Sequence, residues 1–241
     1  ANQLTLSPLL LDAFLRLSVS IVESPEFNEQ NVGIWNEFFR EPEKKIDRKS
    51  EVRRRLRPFL RLAFRGPVDE ATLQRYADYA AANLDRGLSF TDCMKKTASA
   101  ALSSPLFLYR AASEGGKVDQ FEIASELSFF LWNSGPDEQL LQFAETGELS
   151  KSDVLRETIR RMLADPRVER FLDTFPAQWM QLENVLAATP DPQQNRYFRL
   201  DDDHPASLQM VLEPLLLFDM VFIEDRPITD LIISPLAYRS E

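Results

Sequence analysis

The 241-residue chain has one cysteine, Cys93, and one histidine, His204. One of each excludes an internal disulfide, a Cys/His zinc finger and a C-x-x-C-H haem attachment within this stretch. Glycine is scarce too, with seven residues against seventeen phenylalanines. β-Hairpins draw on glycine at their turns, so this balance favours helices with broad aromatic packing faces. No apolar run reaches the ~18 residues of a membrane-spanning helix. The chain opens Ala1-Asn2-Gln3 without an initiator methionine, as expected of a processed chain or a piece of a longer one. The missing signal peptide therefore does not point to the cytoplasm.

Hydrophobic residues make up 44% and charged residues 27%, an ordinary globular composition with length enough for a substantial core. A net charge of −10 repels nucleic acid and anionic membranes. That charge is uneven. Between Lys44 and Arg65 ten Lys or Arg stand against two acids, Asp47 and Glu51, a balance of +8 that leaves −18 on the remainder. Arg53, Arg54, Arg57, Arg61 and Arg65 are therefore candidates for contact with an acidic partner. The alternative is a solvated helix neutralised by the acidic rest of the chain. No exposed aromatics interleave with these cations, which argues further against a nucleic-acid groove.

Apolar spacings of three and four run through most of the sequence. Ser7-Pro8 reads as an N-cap followed by proline at the first helical position. The helix it opens, to about Val22, is so densely apolar that it is expected to be buried on most sides or to dock on a missing domain. Residues 23–49, with Pro25, Gly33 and Pro42 around Trp35-Asn36-Glu37-Phe38-Phe39, read as a linker with a helical turn or two. Val52, Leu56, Phe59, Leu60, Ala63 and Phe64 predict a helix kinked or broken at Pro58. Asp69 opens another, closed by Gly87, and a further helix covers about 89–102. Asp119 and Glu122 form a capping box for a helix ending at Trp132. A short helix over 136–144 and then, after a second capping box at Ser150-Lys151-Ser152-Asp153, a helix carrying Val154, Leu155, Ile159, Met162 and Leu163 precede one from Pro166 that keeps its register to Leu182. A long loop over 189–205 leads to a last helix over 205–223, interrupted by Pro214. Only Ile228–Ile233 has the look of a strand, and it has no partner. Unevenly spaced helix starts exclude a regular repeat. The expected fold is all-α, an irregular multi-helix bundle.

Arg61-Leu62-Ala63-Phe64-Arg65-Gly66-Pro67-Val68 resembles the R-A-F-R-R-P-L opening of a module found in large secreted proteins of planctomycetes and related bacteria. Ser104-Pro105-Leu106-Phe107-Leu108-Tyr109-Arg110 is similar to that family's S-P-x-F-L-Y-R motif. Ala124-Ser125-Glu126-Leu127-Ser128-Phe129-Phe130-Leu131-Trp132, then Gly135-Pro136-Asp137, is similar to its A-S-R-L-S-Y-F-L-W…P-D motif. Arg160-Arg161-Met162-Leu163-Ala164-Asp165-Pro166, followed by Phe171, Phe175, Gln178 and Trp179, resembles the next block. The motifs keep a consistent order over about 56–233. The resemblance implies a planctomycete-type domain of unknown function in a periplasmic or exported protein. It also implies other protein domains or subunits as partners, a c-type cytochrome among them, and it brings no catalytic residue. Ser7-Pro8-Leu9-Leu10-Leu11 is similar to the tail of the preceding module. The expected segments are thus 1–49 (tail and linker), 50–117 (a basic helical subdomain) and 118–241 (the main helical bundle). Two positions depart from the pattern: Glu126 stands where the family has Arg, and Pro214 follows Glu213 where it has Thr.

Tyr109, Arg110, Trp132 and Asp137 fall in the sharpest motifs and join the five arginines as candidate interaction residues. The competing reading has Phe107, Tyr109 and Trp132 in the core and Arg110 capping a helix C-terminus; Phe175 and Trp179 read as core as well. His204, in Asp201-Asp202-Asp203-His204-Pro205, reads as an exposed histidine at a helix start, because a catalytic triad would need a nucleophile elbow that is missing. The same acids lack the spacing and bidentate Glu of a calcium loop. Glu122, Glu126, Asp137 and Glu213 lie among aromatics, and Glu126 is expected to pair with Arg110 or Arg160. No catalytic, cofactor or metal site is expected within the chain. The function expected is a non-catalytic scaffold or protein-interaction domain associated with a haem-containing partner or module. The alternative is a polysaccharide-acting enzyme with carboxylates such as Glu126 and Asp137 in a cleft. A third reading is an electron-transfer subunit that positions a haem carried by another chain.

Overall fold

Serine and aspartate decide where the helices start. In a computed structural model, which describes residues 7–109, 119–187 and 206–233, every regular element is helical. Ser7 accepts from the Leu10 amide to open α1 (Pro8–Glu23), and Asp47 from Ser50 to open α2 (Arg48–Ala63). Asp69 accepts from Thr72 for α3 (Glu70–Asp85), Ser89 from Asp92 for α4 (Phe90–Leu102), and Ser104 from Leu106 for the single turn α5 (Pro105–Leu108). Each side chain satisfies an amide that the first helical turn leaves unpaired. Then come α6 (Gln120–Trp132), α7 (Glu138–Glu145), α8 (Ser152–Leu163), α9 (Glu169–Trp179), α10 (Leu182–Ala187), α11 (Ala206–Ile223) and α12 (Asp230–Ile233). The chain packs as two compact units. Unit one is Ala1–Ser128 with Gly135–Arg156, and unit two is Phe129–Ser134 with Glu157–Glu241.

The core of unit one is built from Val52, Leu56 and Leu60 of α2, Leu73 and Ala80 of α3, and Phe90, Cys93 and Met94 of α4. The stretch expected to be a linker contributes to it. Trp35–Phe39 forms a π-helical turn that buries Phe38 and Phe39 among these side chains, Phe38 stacking on Phe59 with centroids 4.2 Å apart. Arg55 fixes that turn from α2. Its guanidinium donates to the carbonyls of Phe38 (3.2 Å) and Arg40 (2.7 Å) and to Glu51 (2.6 Å). Pro58 removes one amide from α2, yet the helix runs through it unbroken. Pro214 likewise lies within a continuous α11.

α1 departs from the expectation of general burial. It meets α4 along a narrow line where Ser18 and Ser99 approach to 3.1 Å, and only Ser18 and Val22 are buried. Leu9, Leu10, Leu11, Leu15, Leu17 and Ile21 stay exposed.

In unit two, Phe171 and Leu172 of α9 pack on Phe218 of α11. The helix read through to Leu182 stops at Trp179, where Gln181 takes a φ of 55° and α10 starts afresh. Ile228–Ile233 is not extended. It ends in the helical turn α12, whose amides return to carbonyls three or four residues back. Among the described residues there is no strand. The 189–205 loop, with His204 and its aspartates, lies outside the described residues.

Candidate functional site

Three of the motifs meet in unit one. α2 closes at Arg65, whose φ of 57° lies in the left-handed region that costs a non-glycine residue roughly 1–2 kcal/mol. The following Gly66 amide returns to the Arg61 carbonyl at 3.1 Å, the close of helix that normally recruits glycine one residue earlier. The Arg65 guanidinium then donates to the carbonyls of Leu106 (3.3 Å), Phe107 (2.9 Å) and Tyr109 (2.7 Å). These are the acceptors that the end of α5 leaves unpaired. The first motif thus caps the second through a side chain, and Gly135 of the third lies against Arg65, where an added Cβ would sit 3.9 Å from its Cγ. Sequence reasoning gave the capping of this segment to Arg110, which lies outside the described residues. No local pattern signals that a residue about forty positions upstream does it.

Around this node is a cleft of about 720 Å³. Phe64, Arg65 and Pro67 line it from the first motif, Leu106 and Tyr109 from the second, and Ser125 and Glu126 from the third. Asp69, Asp119 and Glu122 add carboxylates. Asp69 is engaged as the cap of α3, and its bonds from Thr72 hold its carboxyl below the usual range. Asp119 accepts from the Phe121 amide at 3.4 Å. Glu126 is exposed and makes no salt bridge among the described residues; Arg160 pairs instead with Glu157 of its own helix at 3.5 Å.

The other arginines of the basic stretch meet acids of the same unit. Arg53 and Arg57 both bind Glu70, Arg54 and Arg55 bind Glu51, and Arg61 reaches Glu138 (3.1 Å) and Glu145 (2.9 Å) of α7. Glu51 is buried, and its two arginines hold its carboxyl down to about 2. The charge excess seen in the sequence is therefore largely answered by side chains from elsewhere in the unit.

Trp132 occupies the matching position in unit two. It is fully buried and donates from Nε1 to the Met162 carbonyl at 3.0 Å. Arg167 lies over its ring at 3.5 Å and Arg161 at 5.4 Å, which is cation–π contact from half-buried guanidinium groups to a buried ring. Asp165, held down to about 2 chiefly by Arg167, orients that cation with bonds of 2.9 and 2.7 Å. Arg170 donates to the Trp132 carbonyl at 3.2 Å. Asp137 caps α7 through the Leu140 amide at 2.9 Å. Phe175 and Trp179, read as core, are surface residues instead, Trp179 being 55% exposed. Their rings stack along one face of α9 with centroids 6.1 Å apart. Among the described residues no three metal-ligating side chains gather, and no helix is long and apolar enough to cross a membrane.

A family model described as PSD4, protein of unknown function (DUF1592), matches residues 118–241. A second, PSD5, protein of unknown function (DUF1595), matches residues 51–111. No curated protein and no solved structure is matched.

Proposed function

The chain belongs to the PSD4 family, and on that premise we propose that it is a non-catalytic helical scaffold, a protein-interaction domain of an exported multidomain protein that works beside a c-type cytochrome domain or subunit. One observation carries this reading: the motif residues have internal structural partners. Arg65 caps α5, Trp132 is bonded to Met162 and Asp137 caps α7, so the motifs encode architecture. The link to export and to a haem neighbour rests on the motif resemblance.

The polysaccharide-acting alternative draws on the carboxylates around the unit-one cleft. A glycosidase needs one carboxyl raised so that it stays protonated. Asp69 is shifted the opposite way, and it is tied up as a cap.

Affinity purification of the chain from its native host, followed by absorbance in the Soret region and a reducing-end assay on a panel of polysaccharides, separates the two. The expected result is a stoichiometric haem-absorbing complex and no sugar release. Sugar release that disappears in Glu126→Gln would overturn the scaffold reading.

A further inference from the structure

Unit two contains an apolar groove of about 760 Å³. The end of α8, the turn Pro166–Val168 and the first turns of α9 form one wall, and the end of α11 with α12 forms the other. Its floor is Leu172, Phe218 and Val221, side chains at most 8% exposed. The lips are apolar as well: Ile223 and Ile228 are each 71% exposed. Single exposed apolar residues are ordinary, but a groove with an apolar floor and apolar lips marks a binding surface.

The charges that line it without a salt bridge are of one sign. Asp165 is paired with Arg167 at 2.7 Å. Arg226, the cation on the rim, is paired with Glu224 at 2.6 Å and approaches Asp230 at 3.9 Å. Glu169 and Asp225 are exposed, line the same groove and make no salt bridge among the described residues. The groove therefore offers apolar contact flanked by uncompensated negative charge.

We infer that this groove docks an amphipathic helix of a partner protein whose apolar anchors enter the floor and whose flanking Lys or Arg side chains meet Glu169 and Asp225. The mode is helix-in-groove recognition, with anchors at spacings of three and four. Charge complementarity chooses this occupant. An anionic lipid surface is repelled by the acidic rim, and an uncharged apolar ligand leaves both carboxylates unanswered. The inference rests on the reading of the chain as an interaction domain and names the partner's chemistry.

Fluorescence anisotropy with two labelled peptides tests it. Both present a leucine face over about four helical turns, one flanked by lysines and the other by glutamates. The intact chain is expected to bind the lysine peptide saturably and about tenfold more tightly than the glutamate peptide, less so as salt rises. The double variant Glu169→Lys/Asp225→Lys, altered at two exposed positions, is expected to reverse the preference while melting like the parent. Equal binding of both peptides, no binding of either, or an unchanged preference in the double variant overturns the inference. So does sedimentation showing that a second copy of the chain covers the groove. If the peptides fail while the haem complex persists, the groove assignment is wrong and the interaction reading stands. Polysaccharide turnover together with peptide binding overturns the non-catalytic reading and leaves the groove assignment standing.

Discussion

Unit one places charge in its interior and answers it. Glu51 and Arg55 are both under 10% exposed, Arg54 adds a second cation to the same carboxylate, and the remaining Arg55 donors close the carbonyls of the π turn. Unit one also has rings around its π turn, but the core of unit two centres on them: Phe130, Phe171, Phe175, Phe218 and Phe222 form a chain of aromatic contacts. At the half-buried Asp219 of α11, the buried Oδ1 has no partner among the described residues. Charged clips hold backbone segments in place by direction, which suits a unit containing an irregular π turn and a one-turn helix. Aromatic packing is less directional, and it leaves exposed rings and an apolar groove at the surface.

The contrast predicts the largest loss at Arg55. Replacing it with Met leaves Glu51 buried with only the exposed Arg54 to answer it, and it strips the Phe38 and Arg40 carbonyls of their donor. Breaking a buried pair from one side costs about 3–5 kcal/mol, so the denaturant midpoint of Arg55→Met is expected to fall accordingly. Adding Glu51→Gln to that variant is expected to recover part of the loss, because the orphan charge goes with it. Additive losses would show that the pair contributes no coupling.

Trp132→Phe comes next. The ring area largely survives, but the bond to Met162 and part of the contact with Arg167 go, and the Met162 carbonyl loses its donor. An unsatisfied buried acceptor together with a void costs about 2–3 kcal/mol. A thermal melt that leaves the variant level with the parent would mean that Arg167 and Arg161 do not depend on the indole.

Acid and base effects separate the units more finely. Glu51 is held near 2 by its arginines, so the unfolded chain binds the proton more readily. The stability it gives is present above its ordinary value near 4.5 and drains away as pH falls toward 2. Asp219 has the opposite sign. Burial, and then the neighbouring Asp173, push its carboxyl up, so its ionised form weighs against folding at neutral pH, and protonation relieves it. Asp219→Asn is expected to raise the melting temperature slightly at pH 7, with the advantage shrinking as the parent is acidified. A gain that persists unchanged in acid would place its origin elsewhere than in the charge.

Legibility followed locality. The helix starts at Ser7 and Asp69 and the apolar periods of α2, α3 and α4 were readable because each depends on residues within a turn of one another. Pro214 did not interrupt α11 and Pro58 did not break α2, because a single lost amide does not end a helix that tertiary packing supports. Ile228–Ile233 misled because β-branched residues in a short run do not distinguish a strand from a helical turn. The motif positions were visible, but their roles were not. Arg65 acts on carbonyls about forty residues away, and Arg61 on carboxylates of α7, so no spacing announces either contact. Unit one's cleft and unit two's groove are assembled from such distant pieces, which is why neither could be read from the sequence.

The smallest effect is expected at Glu70, and it tests the same contrast from the other side. Glu70 binds Arg53 and Arg57 together, and those bonds lower its carboxyl below the ordinary range. By geometry it rivals Glu51. It differs in lying in solvent, where water competes for all three groups and salt screens what remains. Glu70→Gln is therefore expected to melt within error of the parent at moderate ionic strength, with a slight loss emerging only at low salt. If it instead fell as far as Arg55→Met, burial would not be what distinguishes the two arginine–glutamate networks of α2, and the basic helix would depend on its surface charges as much as on its core.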